Sequence, residues 1–169
     1  MSETIKFAWG TSSLGDFMVA MSATGVVGLE FSTTHVAMEE SLRARFPEAD
    51  VIHRPEELTD VVAIVAALIE DPGAGCELPL DLRGTSYEVK VWLLLREIAA
   101  GETTSYGALA SKLGSRDARE VTGAIANNPV AVIVPCHRVI KKDGSISGYR
   151  WGVHRKRALL AREQQSAEH

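Results

Sequence analysis

The sequence predicts an α/β domain in residues 1–84, followed in residues 85–169 by a helical domain that contains a helix-turn-helix. Residues 5–31 alternate apolar and polar side chains, with glycines between the runs, and this pattern indicates antiparallel strands. The stretch 71–80 is rich in proline and glycine, which favour turns, so it indicates a linker. Beyond the linker, the apolar side chains recur at helical spacing.

The first domain is expected to combine a small sheet with two helices. Residues 23–25 separate two alternating runs, as a hairpin turn does. Residues 35–46 and 56–70 have helical spacing. The second of these segments has one apolar face, made of Leu58, Val61, Val62, Val65, Leu68 and Ile69. Helices packed on a sheet place this domain in the α/β class.

The second domain is expected to begin with a helix that Thr85 and Glu88 cap in a capping-box pattern and that Gly101 closes. Two short helical segments follow at 103–114 and 117–128, and the short turn between them predicts a helix-turn-helix. The second segment contains small residues, which let a backbone approach another surface closely. They are Ala118, Gly123, Ala124 and Ala126.

Charge is divided unevenly along the chain. The net charge is −4, but residues 1–84 hold 5 Lys/Arg and 14 Asp/Glu, whereas residues 85–169 hold 13 and 8. This distribution indicates that the second half faces phosphates, with a merely solvated face as the alternative. One acid, Asp143, accompanies a basic run in this half, made of Arg138, Lys141, Lys142, Arg150, Arg155, Lys156, Arg157 and Arg162.

The composition argues against several classes of protein. Hydrophobic residues make up 46% of the chain, so a packed core is expected and disorder is not. We recognise neither a membrane-spanning run nor a signal peptide, so a soluble cytoplasmic protein is expected. Cys76 and Cys136 do not form a Cys-x-x-Cys pair, which argues against a disulfide framework and against a metal site.

An apolar run leads directly to one of the two thiols. Residues 130–134 are β-branched or small and predict a buried strand that ends just before Pro135 and Cys136. A thiol reacts as the thiolate, and a neighbouring cation lowers its pKa. His137 and the basic run supply such a neighbourhood, so we expect Cys136 to be a nucleophile with a pKa below the roughly 8.5 of a free thiol. Cys76 is expected to be inert.

The pentapeptide Pro135-Cys136-His137-Arg138-Val139 resembles the active-site motif of the O6-alkylguanine-DNA alkyltransferases. The resemblance implies an N-terminal ribonuclease-H-like α/β domain and a C-terminal, winged-helix-like helix-turn-helix domain. It covers nearly the whole chain, because further motifs stand in the family's order at residues 81–85, Val91 and Trp92, residues 101–106, Asn128, and residues 147–152.

The resemblance implies a reaction that occurs once per molecule. The alkyl group of O6-methylguanine, and of O4-methylthymine, in DNA passes to the protein's own cysteine, so no cofactor and no metal are expected. The implied partner is double-stranded DNA, bound through the minor groove by a monomer without membrane contact. Two cysteines are too few for the four-cysteine zinc domain of some bacterial members, so repair without transcriptional control is expected.

Four residues carry the chemistry when the family pattern is transferred by position. Cys136 is the methyl acceptor, and His137 removes its proton through a water molecule. Glu163 orients His137, since a carboxylate fixes the tautomer of an imidazole and stabilises its cation. Asn128 links the helix-turn-helix to the active-site strand by hydrogen bonds, and an ordinary helix C-cap is the alternative role.

The resemblance also implies a pocket for a flipped base, because a stacked base is out of reach of the thiol. Tyr106 helps to rotate the nucleotide and donates to N3 of guanine. Tyr149 packs on the base, and Ile125 lies on its other side. The backbone carbonyls of Cys136 and Val139 accept hydrogen bonds from the exocyclic amine.

The remaining implied contacts involve the DNA and the edge of the pocket. Arg119 fills the space that the flipped base leaves, and Arg116 is the alternative, because the turn before Arg119 is one residue shorter than the family's usual turn. Arg150 contacts DNA, and Lys156 lies near the O6 side. Trp151 stands where some broadly tolerant members have glycine, so we expect it to narrow the pocket.

Three other functions are open on the residues alone. The first is a lesion sensor that has this fold but lacks the acceptor cysteine, and the presence of Cys136 argues against it. A cysteine hydrolase could use Cys136, His137 and Glu163, but we recognise no oxyanion-hole motif. A helix-turn-helix regulator would need a sequence-specific dimer, for which the sequence shows no feature.

Overall fold

A four-stranded sheet forms the centre of the N-terminal half of the computed structural model, which describes residues 2–114, 117–146 and 148–167. The strands are β1 (Thr4–Ser12), β2 (Gly15–Met21), β3 (Val26–Phe31) and β4 (Asp50–His53). They lie in the order β3-β2-β1-β4, with β1, β2 and β3 antiparallel and β4 parallel to β1. The alternating pattern therefore predicts the first three strands correctly, whereas the short β4 was not expected.

The two faces of the sheet have different partners, because successive residues of a strand point to opposite sides. Helix α1 (His35–Arg45) covers the face on which Met18 lies. Helix α2 (Thr59–Glu70) covers the opposite face, on which Phe17 lies. Helix α2 begins three residues later than predicted, because the chain makes a turn at Pro55 before the helix starts.

Helix α3 (Ser86–Leu95) opens the C-terminal half at the predicted capping box. The Thr85 hydroxyl accepts from the backbone N–H of Glu88, and the Glu88 carboxylate accepts from the backbone N–H of Thr85, both at 3.0 Å. The expectation that Gly101 closes this helix was wrong. The helix ends six residues earlier, and Gly101 lies in a separate turn with φ of 86°.

Two short helices then follow where the helix-turn-helix was predicted. They are α4 (Tyr106–Lys112) and α5 (Ala118–Ala126), with Ser105 and Asp117 as their N-caps. Residues 115–116 of the shortened turn lie outside the described residues. They include Arg116, the alternative to Arg119 for filling the space that the flipped base leaves. None of the helices described is long and apolar enough to cross a bilayer.

The segment between α5 and α6 (Val153–Ala167) departs most from prediction. Residues 130–134 were predicted as a buried strand, but they form tight turns in which Val132 has φ of 65°. Val130 makes one isolated bridge, to Leu29 in the sheet. Burial was therefore predicted correctly, but the strand was not, because hydrogen bonds from a side chain replace strand pairing here.

Two short elements connect the active-site motif to the helix-turn-helix. A single 3₁₀ turn, Cys136–Arg138, follows the irregular segment. The two-residue strand β6 (Val139–Ile140) comes next and pairs in parallel with β5 (Thr104–Ser105), directly before α4. The residues that follow the cysteine are thus held beside the start of α4.

The two halves of the chain share a hydrophobic core around β3. The backbone N–H of Val26 donates to the carbonyl of Pro79 in the linker, at 2.9 Å. The N–H of Leu29 donates to the carbonyl of Pro129, after α5, at 3.0 Å. One buried cluster extends from the sheet through α3 to the irregular segment.

Substitution of Trp92 tests the packing of this shared core. Its indole is 1% exposed and donates to the Ala124 carbonyl at 2.8 Å. Trp92→Phe should lower the free energy of unfolding by roughly 2–4 kcal/mol, because it leaves a cavity and an unsatisfied carbonyl. Trp9→Phe is the control, since the Trp9 indole N–H has no hydrogen-bond partner among the described residues. If chemical denaturation shows that Trp92→Phe and Trp9→Phe lose equal free energy of unfolding, the proposed contribution of Trp92 to the shared core is contradicted.

Candidate active site

The side chain of Asn128 shapes the segment that ends at Cys136. Its amide nitrogen donates to the Val134 carbonyl at 3.0 Å and to the Cys136 sulfur at 3.2 Å. Its amide oxygen accepts from the backbone N–H of Val130 at 3.0 Å. The helix C-cap is the neighbouring Asn127, so Asn128 does not have the alternative capping role. One fully buried amide therefore holds the turn and contacts the thiol.

Cys136 is 4% exposed, and burial raises the pKa of its thiol to about 11. The hydrogen bond from Asn128 and the positive charge of Lys156 act in the opposite direction but do not outweigh burial. The expected pKa below that of a free thiol was therefore wrong for the protein without DNA. The sequence shows the cations near the thiol but does not show how completely the thiol is removed from water.

His137 and Glu163 form a buried pair next to the thiol. His137 Nε2 lies 3.0 Å from Glu163 Oε1, and both side chains are almost fully buried. Burial lowers the pKa of His137 although Glu163 favours its cation. Burial alone raises the pKa of Glu163, but hydrogen bonds from His137 and Arg138 outweigh it, and the net shift is downward. The pair is therefore a neutral imidazole and a carboxylate.

The tautomer of His137 follows from these contacts. An ionised carboxylate only accepts hydrogen bonds, so Nε2 must carry the proton that points to Glu163. Nδ1 is then an acceptor, and it is buried without a hydrogen-bond partner among the described residues. This nitrogen is therefore free to accept a proton, as a general base requires.

Arg138 is a site residue whose position the sequence analysis missed. Its guanidinium donates to Glu163 Oε2 through Nε, at 2.8 Å, and through Nη2, and to the Ile98 carbonyl through Nη1, at 2.5 Å. The sequence places Arg138 in a basic run, and no local pattern separates it from the other members. Its charge compensates that of the buried Glu163.

The basic run as a whole was expected to face phosphates, and the structure divides it. Arg138 lies inside the active site, whereas Arg155 and Arg162 reach the N-terminal half, where they donate to the Leu14 and Ile69 carbonyls at 2.7 and 2.6 Å. Exposed cations of the run are Lys141, Lys142, Arg150 and Arg157. The expectation was therefore wrong for the three arginines with these internal contacts and for Lys156, which is 1% exposed.

A cleft of about 430 Å³ opens beside the thiol. Three predicted pocket residues, Tyr106, Ile125 and Tyr149, line it together with Cys136. The Tyr149 hydroxyl is buried, and burial together with the adjacent Cys136 sulfur raises the pKa of this tyrosine. Lining residues that the sequence analysis did not assign to the pocket are Thr122, Ala126, Lys141 and Gly148.

Trp151 lies behind Tyr149 and does not line the cleft. It is 6% exposed, and its ring meets the Tyr149 ring edge-on, with centroids 5.3 Å apart. The expectation that Trp151 narrows the pocket was therefore wrong, because the indole packs into the core and supports the tyrosine.

Two other predicted contacts also have structural partners. Arg150 lines the cleft, and its guanidinium donates to the Asn128 carbonyl at 2.9 Å and to Glu30 at 3.1 Å. Lys156 is 1% exposed, and its ammonium lies 3.5 Å from the Gly148 carbonyl. Arg150 therefore connects the cleft to β3, while Lys156 places a positive charge close to the thiol.

Arg119 and Val139 occupy the edges of this arrangement. Arg119 lies in the first turn of α5, where its side chain is 92% exposed and pairs with Asp117 at 3.1 Å. Val139 is fully buried, and its backbone N–H donates to the Cys136 carbonyl. Arg119 is thus exposed on α5, the helix that also supplies Ile125 to the cleft, and Val139 is held against Cys136 by a backbone hydrogen bond.

The site has no group suited to bind a metal ion. Across the described ranges, no three His, Cys, Asp or Glu side chains are close enough to hold one. Cys76 is half-buried and makes no disulfide with Cys136.

The chain is similar to several known proteins along most of its length. The family model of the 6-O-methylguanine DNA methyltransferase DNA-binding domain matches residues 86–165. The chain is 39% identical over 165 residues to the bifunctional transcriptional activator/DNA repair enzyme Ada of Escherichia coli, which covers 97% of this chain and 47% of Ada. The chain thus spans about half the length of that relative.

Two further relatives match along most of their length. The inducible methylated-DNA–protein-cysteine methyltransferase of Bacillus subtilis is 32% identical over 154 residues, covering 90% of this chain and 86% of the relative. The crystal structure of Mycobacterium tuberculosis OGT in complex with DNA superimposes with a TM-score of 0.77 at 32% identity, covering 95% and 93% of the two chains. The resemblance seen in the active-site motif is confirmed, and the chain belongs to the methylated-DNA–protein-cysteine methyltransferase family.

Proposed function

We propose that this chain repairs DNA by moving the methyl group of O6-methylguanine to the sulfur of its own Cys136, once per molecule and without a cofactor. One observation carries the proposal: the thiol lines a cleft walled by Tyr106, Ile125 and Tyr149, and a hydrogen-bonded Asn128 and a buried His137–Glu163 pair lie beside it. The cleft volume of about 430 Å³ is typical of small-molecule sites. A flipped base is the ligand that this family membership supports.

The transfer is a nucleophilic displacement at the methyl carbon. A bond forms between the Cys136 sulfur and this carbon while the bond from the carbon to O6 breaks. The thiol proton passes to His137 Nδ1 through a water, and Glu163 stabilises the resulting imidazolium. The guanine anion that leaves takes up one proton, which replaces the one lost from the thiol when the His137 imidazolium gives its proton back through water. The buried Lys156 supplies positive charge near the thiol.

Attack on O6-methylguanine requires the nucleotide to leave the stack. We assign the filling of the resulting gap to Arg119, because its exposed side chain projects from α5, the helix whose Thr122, Ile125 and Ala126 line the cleft. Gly123 on the same helix has open space around it, as a helix that approaches the minor groove requires. Double-stranded DNA, bound in this way by a monomer, is the proposed partner, with O4-methylthymine as a second substrate and the cytoplasm as the location.

The finer description of the fold belongs to the same proposal. A ribonuclease-H-like N-terminal domain, residues 1–84, is supported by the sheet order β3-β2-β1-β4 with α1 after β3. A winged-helix-like C-terminal domain, residues 85–169, is supported by the pair α4 and α5 and by the family model that matches residues 86–165.

Mass spectrometry after incubation with an O6-methylguanine oligonucleotide tests the proposed reaction. The peptide that contains Cys136 should gain one methyl group, and repair should stop at one lesion per protein, because a thioether is a poor leaving group. Cys136→Ser should bind DNA and transfer nothing, and Cys76→Ser, the matched control, should remain active. Repair that continues well beyond one equivalent would refute the single-turnover reaction and favour a hydrolase.

Removal of the Arg119 side chain tests the proposed flipping role. Arg119→Ala should slow repair in duplex DNA by roughly one to two orders of magnitude, since the unstacking cost of a few kcal/mol is then not compensated. Transfer from the free O6-methylguanine base should change little. Arg54→Ala, an exposed arginine of the N-terminal half, is the charge-matched control. Equal losses on duplex and free base would exclude a flipping role.

A further inference from the structure

Helix α6 carries two pairs of charged residues that contact different parts of the molecule. Each pair is separated by seven residues, or about two helical turns, so its members lie on one side of the helix. Lys156 and Glu163 are buried on the active-site side. Arg155 and Arg162, each one residue earlier, point to the N-terminal half. Arg162, the residue directly before Glu163, is therefore anchored to the N-terminal half.

Arg162 makes its contacts where β1 and β2 meet the end of α2. Its Nη1 donates to the Ile69 carbonyl at 2.6 Å, and its Nη2 donates to the Ser13 hydroxyl at 2.6 Å. Ser13 in turn donates from its backbone N–H and its hydroxyl to the Glu70 carboxylate, at 2.9 and 2.8 Å. The Glu70 carboxylate also lies 3.9 Å from Arg162. We call Ser13, Ile69, Glu70 and Arg162 the α6 anchor.

Both acceptors of the α6 anchor suit an arginine. The last carbonyls of a helix have no partner within the helix and carry partial negative charge, so a guanidinium at the end of α2 is favoured. The hydroxyl of Ser13 accepts from Arg162 while it donates to Glu70. Arg155 supports the same hairpin, because its Nε donates to the Leu14 carbonyl at 2.7 Å. Two arginines thus hold α6 against the tip between β1 and β2.

The orientation of α6 determines where the Glu163 carboxylate lies. Neighbouring residues of a helix are about 100° apart around its axis, so a rotation that moves Arg162 also moves Glu163. Glu163 Oε1 lies 3.0 Å from His137 Nε2, at the contact that fixes the tautomer of the imidazole. We infer that Arg162 is a positioning residue, which fastens α6 to the N-terminal half and so holds Glu163 in register with His137.

This inference rests on the proposed methyl transfer, and two readouts separate it from that proposal. The first is the single-turnover rate of transfer from an O6-methylguanine duplex. The second is the pair of ¹⁵N chemical shifts of the His137 ring, which report its tautomer and need no substrate. Arg162→Ala should lower the rate about tenfold, because misplacement of a positioned group by 1 Å can cost up to roughly 100-fold. The His137 signals should move toward a mixture of tautomers.

Three variants make this result specific. Arg162→Lys, which keeps one donor group, should recover part of the rate. Ser13→Ala removes a single acceptor of the α6 anchor. It should lower the transfer rate by about twofold or less and move the His137 signals in the same direction as Arg162→Ala does. Arg43→Ala removes an exposed arginine that pairs with Glu39 on its own helix, and it should change neither readout.

The outcomes distinguish the two claims. Unchanged His137 signals in Arg162→Ala would overturn the positioning role, whether or not the rate falls, because a loss of rate alone would reflect general destabilisation. A wild-type protein that transfers no methyl group would refute the proposed function, yet the His137 spectrum would still decide the role of Arg162. If Arg162→Ala does not fold, the same decision follows from the spectrum of Ser13→Ala.

Discussion

The buried amide of Asn128 is the interaction on which the active site depends. It accepts from the Val130 N–H and donates to the Val134 carbonyl, which also accepts from the Cys136 N–H at 2.8 Å, and it reaches the Cys136 sulfur. Loss of such a buried amide typically costs about 1–3 kcal/mol for each group left unsatisfied, so the turn has one stable conformation. Asn128 follows the C-cap of α5. Its hydrogen bond to the Cys136 sulfur therefore also fixes the thiol relative to α5, the helix that carries Arg119.

Burial around this amide sets the charge state of every reacting group. An isolated buried carboxylate costs several kcal/mol, but the guanidinium of Arg138 compensates Glu163 and lets it stay ionised beside a neutral His137. The same burial keeps Cys136 protonated, so the sulfur does not exist as an exposed thiolate that any electrophile could reach. In the proposed reaction, the thiol becomes reactive as its proton moves to His137.

The sequence allowed the chemistry to be predicted better than the geometry. Capping residues and sheet alternation are local signals, and the capping box and the first three strands form as they predict. The residues implied by the family resemblance form two contacts, Asn128 with Cys136 and His137 with Glu163. The strand predicted at residues 130–134 failed because a side-chain amide replaces its pairing. Strand β4, the inward direction of Arg138 and the packing of Trp151 depend on contacts between distant residues, and no local pattern records such contacts.

The pH dependence of Cys136 alkylation by a small electrophile tests most directly whether burial controls this thiol. In a Cys76→Ser protein without DNA, where Cys136 is the remaining cysteine, the rate should rise about tenfold for each pH unit from 7 to 9.5 without levelling. This rise follows because the pKa of the buried thiol is about 11. A rate that levels near pH 8.5, as that of a free thiol does, would contradict the account.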